Sequence, residues 1–453
     1  MRRTKIVATL GPSSLKLISQ LSKFVDVFRV NFAHGDENSR REYVRLIREE
    51  APDSSILIDL PGPKLRVGDI GRMELKRGQE VLFSPKGGIT VEDPVFYSSV
   101  KEGSVILISD GLIRIKVTNV SEDEVRGVVL DEGVLTSRKG INIPDLNLRS
   151  GLTQRDLELL EEAISLKADY VGLSFVLSAE DVRKAKERIK GRAWVVSKIE
   201  KRQAVENLKQ IILESDAVMV ARGDLGVEIG LENLPYVQRK IISTSKTLGR
   251  PVILATQVLE SMVLNPMPWR AEVIDVANSV YQGVDAIMLS DETASGSYPL
   301  EAVRYLHRII TSSEDKVRST RPTPSGPDDA VASASLALAE TSKSKLIVVH
   351  TRSGLTALRV SRLRPRSPIL CLTPDPEVAR RLRLCWGITT VVVKGPSSLD
   401  EMVSLALEHC RRLGVKGSVV IVAGDPSTEP GRTDFIKLHN LDEEKGLKST
   451  KEI

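Results

Sequence analysis

The chain has only three cysteines, Cys371, Cys385 and Cys410. They form no CxxC pair and no metal-ligand spacing, which excludes a disulfide scaffold and a zinc module and fits small buried hydrophobes in a reducing cytoplasm. No apolar run approaches the roughly 18 residues of a membrane span. The opening MRRTKIVATLGPSS is too interrupted for a signal peptide. Charge of one sign is also scarce in excess: 65 Lys and Arg stand against 60 Asp and Glu, a formal charge of +5. With no basic stripe interleaved with rings, nucleic-acid binding is not expected. The expectation is a soluble, cytoplasmic protein with no membrane and no nucleic-acid partner, its small basic excess suited to phosphorylated anions.

At roughly 100–200 residues per domain, this length makes two or three domains. Eight short runs rich in Val, Ile and Leu recur: KIVATLG (5–11), DVFRVNF (26–32), SILIDLPG (55–62), YVGLSFV (170–176), WVVSKIE (194–200), AVMVARGD (217–224), PVILATQ (251–257) and AIMLSDET (286–293). Several are apolar on both faces, as buried parallel strands are. Helical patterns lie between them, such as 233–250 with its Gly stop, and a stretch opened by a capping-box pattern from Thr153 to Asp156. Eight alternations predict an α/β fold, a closed (β/α)8 TIM barrel rather than an open doubly wound sheet, over 1–62 and 145–320.

Residues 63–144 change character: VILISDG, IRIKVTNV and EVRGVVLDEG are short alternating strands between turns. They predict an inserted small β-barrel lid domain on the functional face of the barrel. RPTPSGPDD (321–329) reads as a linker, and the runs KLIVVHTRSG, SPILCLTP, ITTVVVKG and SVVIVAGD as strands of a C-terminal α/β domain over 328–453.

Barrel chemistry sits at the C-terminal ends of the strands, so the polar residues there form one collection. They are Arg29, Asn31, His34, Asp59, Lys198, Glu200, Arg222, Asp224, Thr256, Gln257, Ser290, Asp291, Glu292 and Thr293. Lys198 and Glu200, two apart on a strand, point the same way. Glu200 and Asp224, from neighbouring strands, suit one hard divalent cation such as Mg²⁺ or Mn²⁺, with substrate oxygens and water completing its shell. Any one of these residues alone reads equally as a rim ion pair; together they point to anionic, phosphorylated substrates. In ARGDLG (221–226), Gly223 reads either as a tight strand-to-helix turn or as a backbone cradle for a carboxylate.

RVNFAHG (29–35), DLPGPKLRVG (59–68), SKIE (197–200), MVARGDLGVEI (219–229), ILATQVLESM (253–262), NPMPWRAEVIDVAN (265–278) and AIMLSDETASGSYPLEAV (286–303) resemble, in order, the blocks of the pyruvate kinase family. The resemblance covers nearly the whole chain. It implies transfer of the phosphoryl group of phosphoenolpyruvate to ADP, giving pyruvate and ATP, in a homotetramer with a regulatory C-terminal domain.

Residue by residue, it implies that Lys198 neutralises the transferring phosphoryl group, which Arg29 also contacts, and that Glu200 and Asp224 hold the divalent cation. Gly223, Asp224 and Thr256 would position the substrate carboxylate. Thr256 or a bound water would protonate the enolate. Asn31, His34, Arg66 and Lys139 would face ADP.

One departure stands out. Most members bind K⁺ through Asn, Ser, Asp and Thr; here Asn31 and Asp59 keep the pattern, but Ala33 and Leu60 replace the other two, and Lys64 stands where Glu is usual. An ammonium on a four-carbon stem can place its charge where the ion would lie. The prediction is a K⁺-independent enzyme with Lys64 in place of the ion, the alternative being a solvated hinge lysine. In the C-terminal domain, Thr351, Arg352, Ser353, Gly354 and Thr356 follow a strand and open a helix, with Arg432 in a later loop able to close over them. This reads as a phosphate site for an allosteric sugar phosphate or nucleotide, or as an ordinary capped helix. Two rivals stand beside the whole reading: a barrel lyase or phosphomutase, which has no use for Arg66 and Lys139, and a catalytically retired sensor.

Overall fold

A run that is apolar on both faces makes a stable strand only where both faces are covered. In the computed structural model, which describes residues 2–144, 151–427 and 431–442, the eight runs meet that need by closing on one another. The expected barrel restart at residue 145 and the chain beyond 442 lie outside the described residues. The first three strands are β1 (Lys5–Thr9), β2 (Val27–Asn31) and β3 (Ser55–Asp59).

The chain then leaves for the insert: β4 (Arg72–Leu75), β5 (Glu80–Phe83), β6 (Val105–Ile108), β7 (Ile113–Val120), β8 (Val125–Val129), β9 (Gly133–Thr136) and β10 (Ile141–Asn142). It returns for β11 (Tyr170–Leu173), β12 (Trp194–Ile199), β13 (Ala217–Ala221), β14 (Val252–Ala255) and β15 (Ala286–Leu289). Around the closed parallel barrel the order is β1-β15-β14-β13-β12-β11-β3-β2. Val7, Val27, Leu57, Val196 and Met219 fill its lower interior, while the outward residues pack under the helices. Local signals set the helices: the Thr153 hydroxyl accepts from the Asp156 amide at 3.1 Å and the Asp156 carboxylate from the Thr153 amide at 3.0 Å.

The insert has its own core, built on Val67, Phe83, Phe96, Ile106 and Ile115. Its antiparallel sheet runs β10-β6-β7-β8-β5, beside a ribbon of β4 and β9. β4, β5, β9, β10 and the short helix Val95–Ser99 were not foreseen, because two to five residues carry too little alternation to read. Two contacts tie the insert's exit to the barrel. Asn142 and Lys201 both donate to Oε1 of buried Glu228, at 3.0 and 2.6 Å.

The C-terminal domain is a sheet of β16 (Leu346–His350), β17 (Ile369–Thr373), β18 (Ile388–Val392), β19 (Ser418–Ala423) and β20 (Phe435–Asn440), in the order β18-β17-β16-β19-β20. β20 is antiparallel and was missed; FIKLHN is half-exposed with no clean alternation. The three cysteines are buried, and burial alone pushes the Cys371 thiol up to about 12, which keeps it inert.

This domain closes the floor of the barrel. Leu384, only 1% exposed, sits among the inward residues of the barrel strands. The Tyr170 hydroxyl reaches the carbonyls of Arg380 and Arg381 at 2.9 and 2.8 Å, and Lys5 donates to the Ile388 carbonyl at 2.6 Å. Arg364 and Asp285, each side chain 2% exposed, form an ion pair across the junction. Asp285 also accepts from the amides of Val252 and Trp386, both at 3.0 Å.

Candidate active site

At the opposite, C-terminal end of the barrel, β2, β3 and β12 deliver charged side chains to one point. Asp59, the last residue of β3 and 1% exposed, accepts from Arg29 Nε at 2.8 Å and lies 3.3 Å from Lys198 Nζ. Burial works against its charge, but Lys198 and Arg29 outweigh burial and hold the carboxyl below its usual value. Arg29 is braced a second time, by the Thr9 hydroxyl at 3.0 Å.

Lys198 lies 3.1 Å from Glu200 Oε1 and donates to the Ser174 hydroxyl at 2.7 Å. Ser174 in turn donates to the Leu60 carbonyl at 2.6 Å. Burial would lower the lysine's pKa; Asp59 and Glu200 overcome it, and the net direction is upward. The ammonium is therefore a fixed charge at neutral pH.

Glu200, 1% exposed, accepts from the Phe175 amide at 2.7 Å through its other oxygen. Its carboxyl is pushed up, first by burial and further by nearby Asp224, against the opposing pull of Lys198. Two close carboxylates with a burden of mutual repulsion call for a cation. One is already present in part, since Lys64 donates to Asp224 Oδ1 at 2.7 Å. Hard oxygen donors of this kind fit Mg²⁺ or Mn²⁺. Among the described residues no group of three His, Cys, Asp or Glu is set for a metal, so this pair leaves most of a shell to water and substrate oxygens.

Gly223 and Thr256 also meet. The helix Arg222–Ile229 starts directly at the end of β13, and the Gly223 amide donates to Thr256 Oγ1 at 2.8 Å. ARGDLG is thus a strand-to-helix turn whose second amide already points at a hydroxyl of the site.

Other residues fall elsewhere. Arg222 turns away from the mouth and bonds backbone carbonyls of the next strand's end. Glu292, fully buried, accepts from the amides of Leu259 and Ser290, and Thr293 donates to the Thr9 carbonyl at 2.8 Å. Both belong to the scaffold, because β15 runs straight into the helix Asp291–Ala294, which turns Glu292 back to the Ser290 amide and Thr293 to the carbonyls of Thr9 and Ser290. Of the expected monovalent-cation region of Asn31, Asp59 and Lys64, Lys64 makes its ion pair with Asp224. Asp59 is committed to Arg29 and Lys198, and Asn31 accepts from the Ala33 amide at 3.1 Å.

A cleft of about 410 Å³ opens beside Arg29, lined also by Gly11, Asn31, His34, Arg40 and Ser295. Arg66 and Lys139 stand apart from it on the insert. Arg66 donates to the Arg138 carbonyl at 3.1 Å, and the Lys139 carbonyl accepts from Val67 at 2.9 Å. Thr9 and Ser174 are the site residues that sequence reading missed. No polar residue was taken from the ends of β1 or β11, although KIVATLG and YVGLSFV each place a hydroxyl there.

In the C-terminal domain, Thr351, Arg352, Thr356 and Arg432 line a cavity of about 40 Å³. Its polar groups are turned inward: Thr351 Oγ1 accepts from the Gly354 amide at 2.9 Å, Arg352 donates to the Pro426 carbonyl at 2.6 Å, and Thr356 pairs with Thr433 at 2.9 Å. Ser353 lies outside that lining. Burial pushes His350, on the same wall, down to about 4, so the site's positive charge comes from the two arginines.

Comparison with known proteins adds a line of evidence that does not rest on these distances. Residues 1–303 match the family described as pyruvate kinase, barrel domain, and residues 329–439 that described as pyruvate kinase, alpha/beta domain. The chain is 40% identical to the pyruvate kinase of Agrobacterium vitis over 464 residues, covering 96% of each chain. It is 39% identical to that of Thermotoga maritima, covering 98% of this chain and all of that protein. The pyruvate kinase of Geobacillus stearothermophilus is 37% identical, over 97% of this chain and 80% of that longer one. With the closed barrel, the clustered cations and the paired carboxylates already in place, these matches show that the chain belongs to the pyruvate kinase family.

Proposed function

We propose that the protein transfers the phosphoryl group of phosphoenolpyruvate to ADP, giving pyruvate and ATP, with Mg²⁺ or Mn²⁺ held by Glu200 and Asp224. The observation that carries this reading is the Lys198 ammonium, fixed by Asp59, Glu200 and Ser174 at the barrel mouth. Phosphoryl transfer asks little of a protein beyond positioning and electrostatics. A charge that needs no reorganisation as the phosphoryl group moves is what such a step rewards.

In this reading Arg29, braced by Asp59 and Thr9, contacts the phosphoryl oxygens. Gly223, Asp224 and Thr256 receive the carboxylate. The divalent cation, when bound by Glu200 and Asp224, would supply neutralising charge for the transferring phosphoryl group. Once the phosphoryl group has left, the enolate carbon takes a proton from the Thr256 hydroxyl or from water beside it. Asn31 and His34 in the cleft, with Arg66 and Lys139 brought by the insert acting as a lid, hold ADP. The enzyme would work as a homotetramer, with the exposed Trp269, Ile274 and Tyr281 on one barrel flank as part of an interface.

Lys64 replaces the monovalent ion by delivering its charge through Asp224. A coupled assay with phosphoenolpyruvate, ADP and Mg²⁺ in Na⁺- and K⁺-free buffer is expected to give full turnover, unchanged by KCl. A many-fold rise on adding K⁺ would discard the role of Lys64 and keep the enzyme; no turnover in any salt would discard the function and promote the sensor.

For regulation, the cavity between Arg352 and Arg432 is the proposed seat of a phosphorylated effector, admitted once Arg352 leaves the Pro426 carbonyl. Titrating phosphoenolpyruvate saturation curves with sugar phosphates and nucleotides is expected to move the half-saturation point. An unmoved curve with all of them would remove the proposal.

A further inference from the structure

Thr256 and Gln257 lie just beyond β14 in consecutive left-handed conformations, with φ +67° and +51°. For a β-branched residue that is a genuine outlier. Such conformations persist only where the surroundings over-determine them, and they concentrate at functional sites.

The Thr256 hydroxyl accepts from the Gly223 amide at 2.8 Å and donates to the Ala255 carbonyl at 2.7 Å, but one side chain holds the backbone of both residues. Arg222 donates to the Thr256 carbonyl from Nε at 3.1 Å and from Nη2 at 2.9 Å, and to the Gln257 carbonyl at 2.6 Å. Its remaining nitrogen, Nη1, pairs with Asp275 on the helix Arg270–Gln282. The side chain is 7% exposed. It immediately precedes Gly223, whose amide meets the Thr256 hydroxyl. The rigid guanidinium fork reaches two carbonyls and a carboxylate at once, which a point-charge lysine cannot do.

From this geometry we infer that Arg222 is a positioning residue of the active site: by clamping the Thr256–Gln257 turn in its left-handed form, it sets the Thr256 hydroxyl against Gly223. The inference rests on the reading of Thr256 given above for the chemistry, but not for the geometry. Arg222, Gln257 and Asp275 line a cleft of about 830 Å³ on the outer flank of the barrel, from which water can reach the Gln257 and Asp275 partners once the guanidinium is removed.

The test uses Arg222→Met and Arg222→Lys in the full-length enzyme, with each change repeated in a Thr256→Ala background. Arg222→Met is expected to lower kcat about 100-fold through misplacement of a reacting group, leaving KM for ADP within about twofold. Arg222→Lys is expected to recover only part of that loss. In the Thr256→Ala background either change should cost less than about threefold, since its target is gone. Equal losses in both backgrounds, or an unchanged kcat, would overturn the inference. A crystal structure of whichever variant folds decides the geometry independently of turnover. Thr256 leaving positive φ supports the clamp; Thr256 unmoved, with its hydroxyl still on Gly223, refutes it. Were the parent enzyme to make no pyruvate, the proposed function would fall, and the crystal structure would still settle the clamp.

Discussion

Lys198→Met is expected to reduce kcat by on the order of 10³-fold while KM for phosphoenolpyruvate changes little, because the lost charge acts on the moving phosphoryl group more than on the resting substrate. The pH dependence carries the sign of the same network. Burial pulls the Lys198 pKa down, but Asp59 and Glu200 pull it up further, so the folded value exceeds the unfolded one near 10.5. The ion-pair contribution to stability is therefore complete below the unfolded value and is lost only as pH climbs through the folded one. Between pH 6 and about 10 the parent enzyme should show no activity step owed to this lysine. Full activity in the methionine variant, or a lysine-like titration near neutrality that the variant abolishes, would contradict this account.

The second large effect is one of stability. Asp285→Ala removes the partner of Arg364 and the acceptor of two buried amides at a junction where both charged side chains are 2% exposed. Breaking a buried pair by deleting one member leaves an uncompensated charge, at a cost of about 3–5 kcal/mol. Urea unfolding followed by far-UV circular dichroism and by tryptophan fluorescence should show a clearly lowered midpoint in both signals. Arg364 lies over the Trp386 ring at 5.3 Å from its centroid, so the fluorescence change should be visible. Asp285→Asn, which keeps one acceptor and the shape, should lose less. A midpoint that does not move in the alanine variant would mean the junction contributes little.

Why the barrel was legible and parts of the site were not has a physical explanation. KIVATLG, AVMVARGD and their counterparts are apolar on both faces, and only a covered parallel sheet satisfies that pattern. The pattern also points their last polar residues towards one mouth, which is why Lys198, Glu200, Asp59 and Arg29 could be collected from sequence before any distance was known. What periodicity cannot tell is which way a side chain turns once the strand has ended. Arg222, Glu292 and Thr293 were read as lining the mouth and instead brace the scaffold, because the turns after β13 and β15 redirect them. Lys64 shows the same limit in another form. Its charge was legible, but its partner, Asp224, lies 160 residues away in the chain. β20 and the short insert strands were lost for a different reason: edge strands of few residues owe their form to their neighbours rather than to their own pattern.

The closed floor of the barrel bears on how the chain is made. Leu384 and Trp386 follow the last barrel strand by nearly a hundred residues, a stretch the ribosome needs on the order of 5–20 s to complete at 5–20 residues per second. Throughout that interval the nascent barrel has all its strands but no stopper, and the inward side chains at its base face water. The molecule is thus most vulnerable to aggregation late in synthesis, after its largest domain is already complete in sequence. A chaperone would have the most to do for this chain during that interval.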